Sequence, residues 1–173
     1  ARGLATAQGV TNVRWMRADA EEMPFAARAF DVVTCRRAAH HFPRIERALG
    51  EMRRVLKRGG RLVVDDRSGP EDDEVDAIMN RLDVLHDRSH VRQYRPSQWR
   101  ILLEGAGFAV ESVEPYVKHR PVSSLTAGVG EADARAVREI VAALDARQRG
   151  VFAQEEKGGE VHFNHWYVLI AAT

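Results

Sequence analysis

The sequence has one cysteine and three lysines, and its longest strongly apolar run is the seven residues from Trp166 to Ala172. The lone Cys35 excludes an intrachain disulfide and a multi-cysteine zinc site. A reducing, cytoplasmic location is the expected setting. The apolar run is far short of the roughly 20 residues that a membrane-spanning helix needs, and the first residues do not read as a signal peptide. An excess of charge is also lacking. With 26 basic and 25 acidic residues the formal net charge is +1, so neither nucleic acid nor a membrane surface is an expected partner. The scarcity of lysine leaves 23 arginines, a bias of coding composition. There is no internal repeat and no low-complexity tract. The sequence begins at Ala1 within helix-like sequence and reads as N-terminally incomplete.

What is present is the make-up of one globular domain: 173 residues, 45% hydrophobic and 29% charged. Residues 1–8 read as a helix end stopped by Gly9. VRWMRA at 13–18 is strand-like, and an acidic loop with one proline follows. FDVVTC at 30–35 reads as a buried strand of a sheet covered on both faces. Residues 44–57 are predicted to be helical, with Ile45, Leu49, Met52 and Leu56 on one stripe and Gly59-Gly60 as the stop. RLVVDD at 61–66 is the next buried strand. An amphipathic helix is predicted from Asp72, carrying Val75, Ile78, Met79, Leu82 and Leu85. Ser97 is the expected N-cap of the helix QWRILLEGAG. FAVESVEPY at 108–116 reads as a strand, residues 131–149 as one helix, and VHFNHWYVLIAA at 161–172 as a long last strand entered through a turn at Gly158-Gly159. Alternating strands and helices give an α/β protein.

Three segments, in this order, resemble class I S-adenosylmethionine-dependent methyltransferases of the type-11 group. That group includes the ubiquinone and menaquinone biosynthesis C-methyltransferases. The first joins RADAEEMPF at 17–25 to FDVVTCRRAAHHF at 30–42. The second is ALGEMRRVLKRGGRLVVDD at 48–66, and the third is RPSQWRILLEGAGFAVESVE at 95–114. The resemblance spans essentially the whole sequence. It implies a Rossmann-like, doubly wound, mainly parallel sheet with an antiparallel C-terminal strand. The family's first two strands, with its glycine-rich loop and the acidic residue that binds the ribose, have no counterpart here. In the family those strands lie between the third and the fourth, so residues 13–18 are expected to depart from their usual place.

The same resemblance implies S-adenosylmethionine as cofactor and a small molecule as acceptor. It places the Asp19 carboxylate and the Ala20 N–H on the adenine, and Arg36 and Arg37 near the amino-acid tail of the donor. His40 and His41 follow the strand end. Either could act as a general base, since imidazole exchanges protons near neutral pH. The plainer alternative has His41 and Phe42 packing under the cofactor and His40 capping the next helix. Residues 67–100 are expected to form a lid over the acceptor, with His90 and Tyr94 as substrate-facing residues. His162 and His165 should point to opposite faces of their strand, which argues against a shared metal. Methyl transfer in the isolated chain is expected to be impaired by the missing glycine-rich loop. The alternative is a non-catalytic α/β module for binding or assembly. A truncated sheet exposes apolar edges, so self-association into a homo-oligomer is expected.

Overall fold

The computed structural model describes residues 2–173. Helix α1 (Arg2–Ala7) ends, as expected, beside Gly9 in the left-handed conformation (φ 66°). Residues 13–18 form no strand. Val13, Trp15 and Met16 are exposed there, and the first ladder contact is an isolated bridge between Asp19 and Glu22. Without neighbouring strands to bond its N–H and C=O groups, an apolar alternation has no ladder to join. The segment therefore joins no ladder of the sheet.

The sheet is built from β1 (Phe30–Arg36), β2 (Leu56–Arg67), β3 (Val110–Pro121), β4 (Glu155–Lys157) and β5 (Glu160–Ala172). Its order is β1-β2-β5-β3, with β4 added to β5. β1 and β2 are parallel, and β5 runs antiparallel to both β2 and β3. Thus β1, β2 and β3 point the same way and the C-terminal strand opposes them. The β4–β5 connection is a two-residue turn at Gly158-Gly159, both at positive φ (63° and 78°), the geometry that suits a tight hairpin.

Several boundaries differ from the sequence reading. FDVVTC is an edge strand rather than a buried one: Val32 is 53% exposed, and only Cys35 of β1 is buried. An apolar run identifies a strand but cannot tell a central position from an edge. Helix α2 spans Ile45–Val55 and passes directly into β2. Gly59 and Gly60 lie in the extended chain where the β1–β2 register shifts, not at a helix stop. A side chain at Gly60 would crowd the Asp31 carbonyl at 3.0 Å. Ser97 is not the cap of α4 (Pro96–Gly105). The helix opens on Pro96 after Arg95, whose N–H donates to Gln98, while Ser97 donates to Glu71. The single helix expected over 131–149 is two, α6 (Glu131–Ala142) and α7 (Ala146–Val151), because Asp145 caps a fresh start by accepting from Gln148 N–H at 2.7 Å.

Two apolar clusters organise the packing. In the first, α2 and α4 cover one sheet face through Leu49, Met52, Trp99 and Leu103, against Val64, Val168 and Ile170. In the second, α3 (Asp73–His86), α5 (Ser123–Thr126) and α6 enclose Val75, Met79, Leu125, Val137, Phe152 and Phe163 beyond the far end of the sheet. The helix expected from Asp72 starts at Asp73, and Asp72 caps it by accepting from Val75 N–H at 3.0 Å. No described helix is long and apolar enough to cross a membrane.

Candidate functional site at the strand ends

Where parallel strands end, their carbonyl edge and the loops beyond form the usual ligand crevice of an open α/β sheet. Here β1 delivers Arg36 and β2 delivers Asp65, Asp66 and Arg67 to that edge. The chain then turns sharply, with Arg37 at φ 51° and its N–H donating to the Asp65 carbonyl at 2.9 Å. A 3₁₀ turn (Ala39–His41) follows and brings His40 back onto β2.

Asp66 is fully buried and accepts four hydrogen bonds. The N–H groups of Ala38, Ala39 and Arg67 donate at 3.1, 2.6 and 2.7 Å, and His40 Nδ1 lies at 2.5 Å. Burial alone would push this carboxyl up. The His40 ring and the backbone donors outweigh that and hold it below the ordinary value. An ionised Asp66 fixes His40 with Nδ1 as donor, which leaves Nε2 as the basic nitrogen on the cavity side. His40 therefore does not cap the next helix; the N-cap of α2 is Arg44. The His40 carbonyl also accepts from Val91 and Arg92 N–H at 2.9 and 3.1 Å, which ties the 87–95 loop to the turn.

His40 lines a cavity of about 620 Å³ together with Arg36, Arg37, Arg67, His90 and Lys118. Asp65 joins the two arginines at 3.2 Å each and accepts from the Tyr116 hydroxyl at 2.7 Å. Tyr116 stacks on Tyr167 with centroids 5.3 Å apart, and the Arg37 guanidinium lies 4.0 Å over the Tyr167 ring. Arg67 pairs with Asp83 of α3. Burial pushes the Asp83 carboxyl up, and Arg67 offsets that only in part. His90 is pushed down to about 4, first by burial and then by the neighbouring positive charges. Its Nε2 lies 3.2 Å from Asn80 Oδ1, so the ring is a neutral donor to α3.

A second hollow opens on the other side of the 3₁₀ turn, lined by Asp19, Ala20, Glu21, His41, Phe42 and Pro43. Asp19 Oδ1 accepts from Glu21 N–H at 2.9 Å, which leaves Oδ2 without a local donor. The His40 and His41 rings are 4.0 Å apart and stand between the two hollows.

Of the residues singled out from sequence, the structure brings Arg36, Arg37, His40 and His90 to one cavity, and Asp19, Ala20 and His41 to the other. Tyr94 lies in neither; its ring meets Trp99 at 5.6 Å. Sequence reasoning missed Asp65, Asp66, Lys118 and Arg120. The signal for the first pair was available, since RLVVDD ends its apolar run in two carboxylates at the active edge of the sheet. Lys118 and Arg120 carried none, because the strand was expected to end at residue 116.

Fold and site together define an open α/β domain whose ligand crevice lies at the carboxyl ends of its strands. Comparison with known proteins takes this further. Residues 1–64 match the methyltransferase domain family. The crystal structure of a Bacillus halodurans C-125 protein described as a methyltransferase superposes with a TM-score of 0.86 at 32% identity, over 92% of this chain and 76% of that one. The Bacillus subtilis protein YcgJ superposes with a TM-score of 0.90 at 29% identity, over 99% and 75%. In sequence, the uncharacterised methyltransferase YcgJ is 39% identical over 116 residues, 67% of this chain and 46% of the relative. A ubiquinone/menaquinone biosynthesis C-methyltransferase of Rhizobium etli is 46% identical over 76 residues, 44% of this chain and 27% of the relative. The chain belongs to the class I S-adenosylmethionine-dependent methyltransferases. It spans about half the length of the first curated relatives it matches.

S-adenosylmethionine is the cofactor of this family, and the second hollow offers groups of the kinds that an adenine end requires. An adenine needs an acceptor for its amine and a backbone donor for a ring nitrogen. Asp19 Oδ2 and the Ala20 N–H, which line the second hollow with the half-buried Phe42, are groups of these two kinds.

Proposed function

We propose that the chain carries the adenine edge and the acceptor side of a methyl-transfer site acting on a small molecule, and that alone it holds the donor weakly. The observation that carries this reading is the placement of His40 and His41 between two hollows, one lined by Asp19 and Ala20 and one open at the strand ends. The bound donor supplies an electrophilic methyl group. The chain's part is to align an acceptor with it and to take up the acceptor's proton at His40 Nε2, with Asp66 stabilising the imidazolium that forms. The 67–100 segment is read as the lid; what supports this is that Asp83 and His86 of α3 and His90 after it line the cavity. The exposed edge of β1 favours a second reading, a non-catalytic module that assembles through that edge.

Calorimetric titration with S-adenosylmethionine tests both. We expect weak, saturable binding that Asp19→Ala weakens at least tenfold, which is about 1.4 kcal/mol. Equal binding by the variant removes the adenine assignment, tight binding overturns the impairment, and no binding at all favours the assembly module.

A further inference from the structure

The strand-end cavity holds more positive charge than its carboxylates balance. Arg67 has Asp83 to itself, but Arg36 and Arg37 share the single carboxylate of Asp65, and Asp87, the other carboxylate on the wall, is engaged by Ser89 and His41. Lys118 and Arg120, also on the cavity wall, have no carboxylate within ion-pair distance among the described residues. Lys118 Nζ lies instead 5.9 and 5.2 Å from the Tyr116 and Tyr167 rings. The two cations are two residues apart on β3, so they project from one face, with Cα atoms about 7 Å apart. Lys118 stands opposite His165 in the ladder. That ring is fully buried with neither nitrogen hydrogen-bonded, so it supplies no counter-charge.

A concave wall with unpaired cations concentrates anions. A guanidinium fork beside an ammonium suits the two or three oxygens of one oxyanion. The cavity, at about 620 Å³, has room for an organic body beyond the charged end, and Tyr167 forms part of its wall. We propose that the acceptor is a small organic oxyanion, a carboxylate or a phosphate ester, whose charged end is held by Lys118 and Arg120. The role of acceptor rests on the methyl-transfer reading; the anion site does not.

The test is calorimetric titration of the chain with benzoate, phenyl phosphate and neutral benzamide, repeated on the Lys118→Met/Arg120→Met double variant. Neither side chain is buried, and a circular dichroism spectrum checks that the variant is folded. At least one anion should bind at least tenfold more tightly than benzamide, and the double variant should lose that preference. Benzoate alone would mark a carboxylate site and phenyl phosphate alone a phosphate-ester site. Equal affinity for the neutral amide, no binding of either anion, or an unaltered double variant overturns the inference. The donor titration separates the two readings. Anion selectivity without donor binding strikes methyl transfer alone, and donor binding without anion selectivity strikes only the inference drawn here.

Discussion

Replacing His165 by leucine should make the protein more stable at neutral pH and less sensitive to acid. The His165 ring is fully buried on β5, parallel to Phe163 with centroids 5.0 Å apart, and neither nitrogen has a hydrogen-bond partner. Burial, followed by the charges of Arg67 and Arg120, pushes its pKa from 6.5 down to about 3. The unfolded chain therefore takes up a proton near pH 6.5 that the folded protein refuses until about pH 3. His165 lowers stability as pH falls through that window and costs nothing of this kind above it. At pH 5.5, one unit below the unfolded value, the loss is roughly 1–2 kcal/mol. That figure depends little on the folded value, provided the latter lies well below 5.5. His90, pushed down to about 4, should add a loss of the same order. His165→Leu should thus remove about half of the combined histidine loss between pH 7.5 and 5.5. At pH 7.5 the variant should gain roughly 1–3 kcal/mol, because an unpaired polar group leaves the core. Urea unfolding followed by tryptophan fluorescence at the two pH values reads both effects. A variant that loses as much stability as the parent on acidification would refute the titration argument. A variant destabilised at pH 7.5 would show that the ring has a partner.

Two further expectations concern packing and assembly. A methyl group at Gly69 would fall inside van der Waals contact of Asp76 Oδ1, in a carboxylate that is 3% exposed and held by Arg95 Nε at 3.3 Å. Gly69→Ala should therefore cost about 1–3 kcal/mol and lower Tm, while Gly50→Ala, in open space on α2, should not destabilise. The outer edge of β1 exposes Phe30 and Val32, so sedimentation should show association rising with concentration and reduced by Val32→Glu; a monomer at all concentrations would remove the expectation.

Most of the fold could be read because its signals are local. Asp72 opens a helix through its own side chain, and Gly158-Gly159 turn a hairpin through their own φ angles. The errors came where distant partners decide. Val32 and Val33 look the same in a central strand and at an edge, and only the presence of a neighbour separates them. Residues 13–18 alternate like a strand yet have no ladder to join. The site was half legible for the same reason. Arg36, His40 and His90 stood out as chemistry-bearing side chains near strand ends or loops. Asp66 matters because it meets His40 across 26 residues, and that meeting is set by the parallel register of β1 and β2.

The place of β5 in the sheet governs how the chain can acquire its structure. It is the one strand bonded to β2, β3 and β4, and its ladder with β2 pairs Leu62 with Ala172. On a ribosome, β1 and β2 can form their parallel pair early, but β3 has no partner until β5 has been made. Contacts so far apart in sequence close slowly. Until they do, both β2 and β3 present bare hydrogen-bonding edges, and the nascent chain is at its most aggregation-prone.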